Sequence, residues 1–451
     1  MLAKWQQYAL AILLIAAYTF FAYFLQRHEA EIFITYLFLF ATYLFLLKQR
    51  EKIDLKFFLI SAFIIRLVLL FSIPNLSDDF YRFIWDGRLI HAGLHPFSEL
   101  PSYYIEQAQS VPGLDASLYE KLNSKDYYTI YPPLAQYIFC LSVLISPENI
   151  LGNFIVLRFL IIAAEFGSIF YMIKLLQHFN QSTNRVLFYA LNPLVILELT
   201  GNLHFEAFTI FFLILTVYLL VKQKILSSSL AFSMAVSAKL LPLIFLPYLA
   251  WQLRWKKGII FTLIVTLLTL ITFIPLQGIE IIQGFQESIG YYFQKFEFNA
   301  SIYYLVREWG YWYYGYNIIQ TVGWKLGVMS ALLIILLSVK SRQTTVNSVQ
   351  LTVDRVLWTK LTFILLIYLL FTTTVHPWYI APLIAFSVFS QYRFAILWSL
   401  LIFFTYAGYN ADGFQEIYWI TFIEYSAVFT YLIFELRQHA KTTAHHILPQ
   451  S

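Results

Sequence analysis

The chain has one cysteine in 451 residues, and that one, Cys140, lies inside an apolar run. A single thiol excludes a disulfide framework, a cysteine-based metal site and a thiol pair. Charge is scarce as well: Asp, Glu, Lys and Arg together make 12% of the residues, roughly half of what a soluble domain carries. No hydrophilic domain, low-complexity tract or long linker interrupts the sequence. No internal repeat is visible, which argues against a transporter built from inverted halves. No cleavable leader is expected, because the first apolar run, Tyr8 to Leu25, is too long, has no small-residue cleavage site and reads as a first span. What fills the chain is apolar: 60% of residues are hydrophobic and 20% aromatic, with a mean hydropathy of +0.67. These proportions predict an all-α polytopic membrane protein, residues 1–451 forming a single integral membrane domain. The formal charge of +5 suits basic membrane edges and by itself says nothing about nucleic acid, which is not expected as a partner.

Runs of bilayer-spanning length cover 8–26, 31–47, 56–73, 154–176, 204–221, 257–276, 316–339, 356–374, 394–409 and 417–435. Shorter or broken apolar stretches lie at 134–146, 186–200, 228–250 and 378–390, for about 11–14 membrane helices altogether. Lys48, Arg50, Lys52 and Lys56, then Arg254, Lys256 and Lys257, then Lys340, Arg342 and Arg355, and finally Arg437 and Lys441 mark the cytoplasmic side. The long loop 74–133, with four Lys/Arg against eight Asp/Glu, falls outside. Simple counting fails at two places. Segment 228–250 is about one span long yet has basic residues at both ends, and Lys239, Pro242 and Pro247 lie within it. It reads as a hairpin-like pair of half helices, allowed at membrane depth only where buried or lining a polar cavity. Between Pro133 and Gly201 either 134–149 or 186–200 is a half-crossing, and the sequence leaves both open.

The densest chemistry is Ser77-Asp78-Asp79-Phe80-Tyr81-Arg82-Phe83-Ile84-Trp85-Asp86-Gly87-Arg88, where span 56–73 leaves the membrane. Ser77 suits an N-cap, acids suit a first helical turn, and Gly93 and Pro96 supply a stop, so a helix is expected over 78–92. Asp78, Arg82 and Asp86 then fall at i, i+4, i+8 along one face. As a plain amphipathic helix it would lie in the interface with Phe80, Phe83, Ile84 and Trp85 in lipid, which leaves the paired acids unexplained. Tyr131-Pro132-Pro133 opens a further membrane helix. His204 and Glu206 share an outer turn, Lys239 stands in a broken apolar helix, and His376 sits at an outer edge beside Trp378. Arg307 follows an aromatic stretch in the second outer loop. Each has a bland reading, as interface anchor, snorkelling cation or satisfied core group. Together they place cations and acids around one outer-facing cavity.

The Asp78–Arg88 string, followed by Ala92-Gly93-Leu94-His95-Pro96-Phe97, resembles the first outer loop of the GT-C glycosyltransferases. It is most similar to bacterial polyprenol-phosphate-mannose-dependent mannosyltransferases. Thr129 to Gln136, Leu191-Asn192-Pro193-Leu194, the Asn202/His204/Glu206 turn, Lys239-Leu240-Leu241-Pro242 and His376-Pro377-Trp378-Tyr379 resemble later landmarks in the same order, so the likeness covers about residues 60–390. The family often has Asp where this chain has Glu206, and the spans at 8–47 match nothing in the pattern. The resemblance implies transfer of a sugar, mannose in the family, from a polyprenyl phosphate to a hydroxyl on a glycan, lipid or protein acceptor. It also implies a multi-pass protein of a bacterial plasma membrane. A phosphate leaving group needs cations rather than a general acid, and a hydroxyl nucleophile needs a base. By resemblance the base is Asp78 or Asp79, with Asp78 favoured. Arg88, Lys239 and His376 are phosphate-side candidates, and Arg82, Asp86, His204 and Glu206 position substrates. No cofactor is required on this reading; Mg²⁺ or Mn²⁺ held by the two aspartates is the second option. The rival class is a transporter or flippase, with Arg158, Glu165 and Lys239 as an intramembrane pathway and Arg158 with Glu165 as a pair.

Overall fold

The computed structural model describes residues 2–106, 111–276, 284, 286–288, 290, 294–340, 355–410 and 413–447. Helices make up nearly all of it: α1 (Lys4–Phe24), α2 (Glu31–Lys48), α3 (Leu55–Val68), α4 (Asp79–His91), α5 (Pro133–Ile145), α6 (Ile150–His178), α7 (Glu206–Val221), α8 (Ile225–Ala238), α9 (Leu246–Gln252), α10 (Trp255–Phe273), α11 (Ile302–Tyr314), α12 (Ile319–Val339), α13 (Arg355–Phe371), α14 (Phe394–Leu401) and α15 (Tyr418–Ile447). Six are long and apolar enough to cross a bilayer, and shorter apolar helices lie between them. The protein is an all-α polytopic membrane protein. Among the described residues the only strands are a two-residue antiparallel pair, Tyr409–Asn410 with Gly413–Phe414.

Local signals set the helix ends. Asp54 caps α3 by accepting from the Phe57 amide, and Asn149 caps α6 by accepting from Leu151 and Gly152. Pro133 opens α5 and Pro193 opens a short helical turn, at positions where the missing N–H costs nothing. Tyr8 meets Phe57, and Tyr23 donates to the Val68 carbonyl, so α1 and α3 run in parallel. α6 runs against α3: Arg158 reaches the carbonyls of Leu70 and Ser72 while Glu165 meets Arg66. The bundle therefore has a basic end, where Asn184 donates to the Arg50 carbonyl, and a loop end, where residues 72–79 and 200–206 meet.

The two counting failures are resolved here. α8 and α10 run in parallel, Ser233 beside Thr269 and Ser237 beside Thr272. α9 returns between them, with Ala250 packed so close to Gly258 that a Cβ there would lie 2.2 Å from its carbonyl oxygen. Segment 228–250 is thus a hairpin of half-length helices, broken at Lys239 and Leu240. Residues 186–201 make the short crossing, ending in a π-helical turn, Ile196–Gly201, and a 113° bend into α7. The other candidate, 134–149, does not cross. It forms α5, alongside α4 at the loop end, with Phe83 stacked on Phe139 at 4.5 Å and Gly87 against the Phe139 backbone. A Cβ at Gly87 would stand 2.6 Å from the Phe139 carbonyl oxygen, so only glycine allows this approach. Tyr131-Pro132-Pro133 accordingly opens a loop-end helix rather than a membrane span.

The expected interfacial helix is corrected as well. α4 has the predicted limits to within a residue, but Phe80, Phe83, Ile84 and Trp85 are all buried in protein, not lipid. α5, α6 and the loop before α5 cover the helix on its remaining sides. Nor do Arg158 and Glu165 pair. Arg158 donates to the carbonyls of Leu70, Ser72, Thr200 and Gly201. Glu165 takes Arg66 at 2.7 Å, and Thr200 donates to its other oxygen. Arg66 and Glu165 are fully buried. Glu165→Ala should therefore lower stability by on the order of 3–5 kcal/mol, the cost of an orphaned buried charge. Arg66→Met/Glu165→Leu should recover most of that loss. Thermal unfolding midpoints in detergent check both; an unchanged midpoint in the single variant would refute the assignment.

Candidate active site

Four backbone breaks meet at the loop end, and each delivers a polar side chain. α4 begins at Asp79 after the turn through Asp78. The bend before α7 presents His204 and Glu206, the break after α8 presents Lys239, and the turn after α13 presents His376. Lys239 forms an ion pair with Glu206 and sits 4.4 Å from the Tyr379 ring centroid. Glu206 is buried, whereas Lys239 keeps 22% of its side chain exposed, so the pair is reachable from solvent. Both imidazoles stack on Trp378, His204 at 3.7 Å and His376 at 4.4 Å. His204 Nε2 lies 3.3 Å from Glu198 without the alignment of a hydrogen bond, and Glu198 accepts from Tyr406 at 2.7 Å. His376 Nδ1 is buried with no partner among the described residues.

Burial, then the nearby Lys239 charge, drives both histidines far toward the neutral form: His204 well below the ordinary value and His376 to about 3. At neutral pH they are N–H donors and acceptors rather than cations. Beside them Lys239 supplies a full positive charge. Asp79 is half-buried. It accepts from Asn123 Nδ2 at 2.7 Å and from the Tyr131 hydroxyl at 3.3 Å. Burial raises its pKa above the ordinary carboxylate range, while Asn123, Lys239 and Tyr131 pull it back. Asp78 turns away from it to Arg27, at 2.7 Å.

The sequence candidates therefore separate into two sets. Asp78, Asp79, His204, Glu206, Lys239 and His376 share the loop-end cluster. Arg82, Asp86 and Arg88 lie further along α4, within the protein. Arg82 pairs with Asp86 at 2.7 Å and donates to the carbonyls of Ser124 and Tyr127; Asp86 also accepts from Gln136. Arg88 donates to the carbonyls of Gly113 and Pro147. These three tie the loop and the segment after α5 to α4. The expected ladder is thus cut, its lower rung joined and its upper acid taken by Arg27.

Sequence reasoning passed over Arg27, Asn123, Glu198 and Tyr406. Arg27 carried a signal: it is a lone arginine in the turn between the first two spans, at the end where basic residues are few. Arg307 belongs to a second cluster, with Glu297 at 2.8 Å and the rings of Tyr304 and Tyr418. There Asn299 bonds Glu416 and Glu424, which fixes the Phe298–Thr374 bridge and sets Phe298 4.6 Å from His376. Among the described residues no three His, Cys, Asp or Glu side chains converge as a metal ligand set. Asp78 and Asp79 have separate partners, Arg27 for the first and Asn123 with Tyr131 for the second.

Residues 14–254 match a family model described as alpha-(1->6)-mannopyranosyltransferase, N-terminal domain. This chain belongs to that family. The matched stretch contains the Asp-Asp string, the His204/Glu206 turn and Lys239, and it begins within the first span; His376 lies beyond it. A curated relative, alpha-(1->6)-mannopyranosyltransferase A of Corynebacterium glutamicum, is 23% identical over 184 residues. That alignment covers 41% of this chain and 36% of the relative.

The assignment of Arg82 to loop anchoring has a direct consequence. Arg82→Met should free the Ser124 and Tyr127 carbonyls and speed tryptic cleavage at Lys121 or Lys125 several-fold. Unchanged cleavage in the folded variant would show that Arg82 does not hold this segment.

Proposed function

We propose that the chain transfers mannose from a polyprenyl-phosphate donor to a hydroxyl acceptor at the outer face of a bacterial plasma membrane. The observation that carries this reading is the facing of one half-buried carboxylate, Asp79, and one accessible ammonium, Lys239, at the loop end of a mannosyltransferase-family bundle. The donor's prenyl chain stays in lipid while its phosphate reaches the mouth of the spans. Asp79 takes the proton of the acceptor hydroxyl, and that oxygen attacks the anomeric carbon. The bond from that carbon to the phosphate oxygen breaks, and the phosphate leaves with the electron pair. Lys239 stabilises the charge developing there, having exchanged Glu206 for the phosphate. A single displacement inverts the anomeric centre.

Asp79 suits the base better than Asp78. Its donors are neutral, and burial raises its proton affinity, as a base requires. The neutral His376, with Nδ1 unpartnered, offers a hydrogen bond rather than a charge to the phosphate side. His204 and Glu198 lie behind Trp378 and position it. Arg88 plays no phosphate role in this scheme. We assign no metal, because the two aspartates are committed to different partners.

Transfer from radiolabelled polyprenyl-phosphate mannose, measured as initial rate with purified protein in detergent, tests the scheme. Asp79→Asn should lose at least about a hundredfold, and Lys239→Ala about tenfold to a thousandfold. EDTA should leave the parent rate unchanged. Near-parent rates in both variants would sink the scheme, and an EDTA loss restored by Mg²⁺ or Mn²⁺ would make the reaction metal-dependent. Sidedness has its own check, in a Cys140→Ala background. A cysteine at Ser102 should react with an impermeant thiol reagent in sealed cells, and one at Lys256 only after permeabilisation. The reverse pattern would place the cluster on the inner face.

A further inference from the structure

Arg27 lies in the turn between α1 and α2, far from the Asp-Asp string in sequence, yet it completes the loop-end cluster. Its guanidinium meets Asp78 Oδ2 at 2.7 Å and lies 4.7 Å from the Tyr409 ring centroid. Two further contacts hold the turn against the approach to α4: Asn75 Nδ2 donates to the carbonyls of Phe21 and Leu25, at 3.0 and 2.9 Å. Glu29 shapes the turn itself by accepting from the Gln26 amide. Three separate parts of the chain, the first turn, the approach to α4 and the segment at Tyr409, thus converge on Asp78.

Adjacent carboxylates compete, since the charge of each disfavours ionisation of the other. Here they have unlike partners. Asp78 has a full cation, Arg27, which occupies one of its oxygens. Asp79 has the amide of Asn123 and the phenol of Tyr131, which orient it without neutralising it.

We propose that Arg27 is a positioning residue of the transfer reaction: by pairing with Asp78 it removes that carboxylate from competition and leaves Asp79 as the base. The proposal rests on the reading of Asp79 given above. The charged groups around Asp79 are Asp78 on its own turn, Lys239 after α8, and the carboxyls Glu198 and Glu206 from the bend before α7. Tyr131, Tyr379, Tyr406 and Tyr409 complete the titratable surroundings. Asp78 is among the influences that raise the proton affinity of Asp79, and Arg27 is the cation paired with Asp78. Removing Arg27 therefore leaves Asp78 uncompensated, makes Asp79 hold its proton to higher pH, and moves the acid limb of the rate profile upward.

The Arg27 and Asp78 side chains are 31% and 36% exposed. A pair so accessible adds little to stability, so the variants should fold. Size-exclusion profile and melting midpoint verify that. The test is the pH dependence of kcat and of kcat/KM for mannosyl transfer by the full-length protein in detergent. Parent, Arg27→Gln, Arg27→Lys, Arg27→Gln/Asp78→Asn and Asp79→Asn are compared. Arg27→Gln should shift the acid limb up by on the order of half a pH unit, about threefold in rate below the limb. Arg27→Lys should restore most of the parent position. The double variant, charge-neutral at this pair, should stay active with a limb near the parent's. An unmoved limb in Arg27→Gln overturns the role of Arg27. So does a folded double variant as inactive as Asp79→Asn, because Asp78 would then be the base. An active Asp79→Asn would instead overturn the underlying assignment of Asp79.

Discussion

The loop end of this protein depends on one buried cation. Among the described residues Arg158 has no acidic partner, and it spends its guanidinium on four carbonyls, two where α3 ends and two where the segment before α7 ends. Those carbonyls belong to unravelled helix termini, which cannot bond within their own helices and find no water at membrane depth. A guanidinium, with five donors in a planar fork, satisfies several of them at once. The Arg66–Glu165–Thr200 group does the same one turn deeper. The two chain breaks that carry Asp78 and Asp79 on one side, and His204 and Glu206 on the other, are thereby locked at a fixed separation. Asn202 adds a last tie by accepting from the Leu76 amide.

Given that frame, the polar residues of the loop end divide by exposure. Fully buried charges, such as Arg82 with Asp86, are paired inside the protein and build it. Half-exposed ones, Lys239, Asp78, Asp79 and Arg27, stand where a substrate can reach them. The histidines are a middle case. They are buried, neutral and stacked on an indole, held by ring contact and free to offer hydrogen bonds without charge.

Much of the bundle was legible in the sequence because a bilayer imposes length and apolarity on every crossing. The spans, and the break at Lys239, follow from those constraints with the Lys/Arg distribution. Segment 134–149 misled because burial in protein and burial in lipid select the same side chains; α5 is apolar through packing on α4. The aromatics of α4 misled for the same reason. The site was half legible. Acids at a span mouth and a lysine within an apolar hairpin are costly enough to stand out, and both lie in the cluster. The arginines of α4 were equally conspicuous, yet their roles depend on the carbonyls of residues 113, 124, 127 and 147, to which spacing gives no access. Arg27 shows the converse: an unremarkable turn residue becomes part of the cluster only through the fold.

Gly87 links the packing to the chemistry. α4 and α5 touch backbone to backbone there, so the two helices behave as one plate, with Asp79 at one end and roughly 12 Å of helix between it and the contact. A plate hinged at a contact with no slack converts a displacement at position 87 into a tilt at position 79. The geometry of the carboxylate is thus set by a residue that carries no side chain and meets no substrate. Changes in reactivity at this loop end can accordingly originate in the spacing of two helices, with every polar group still in place.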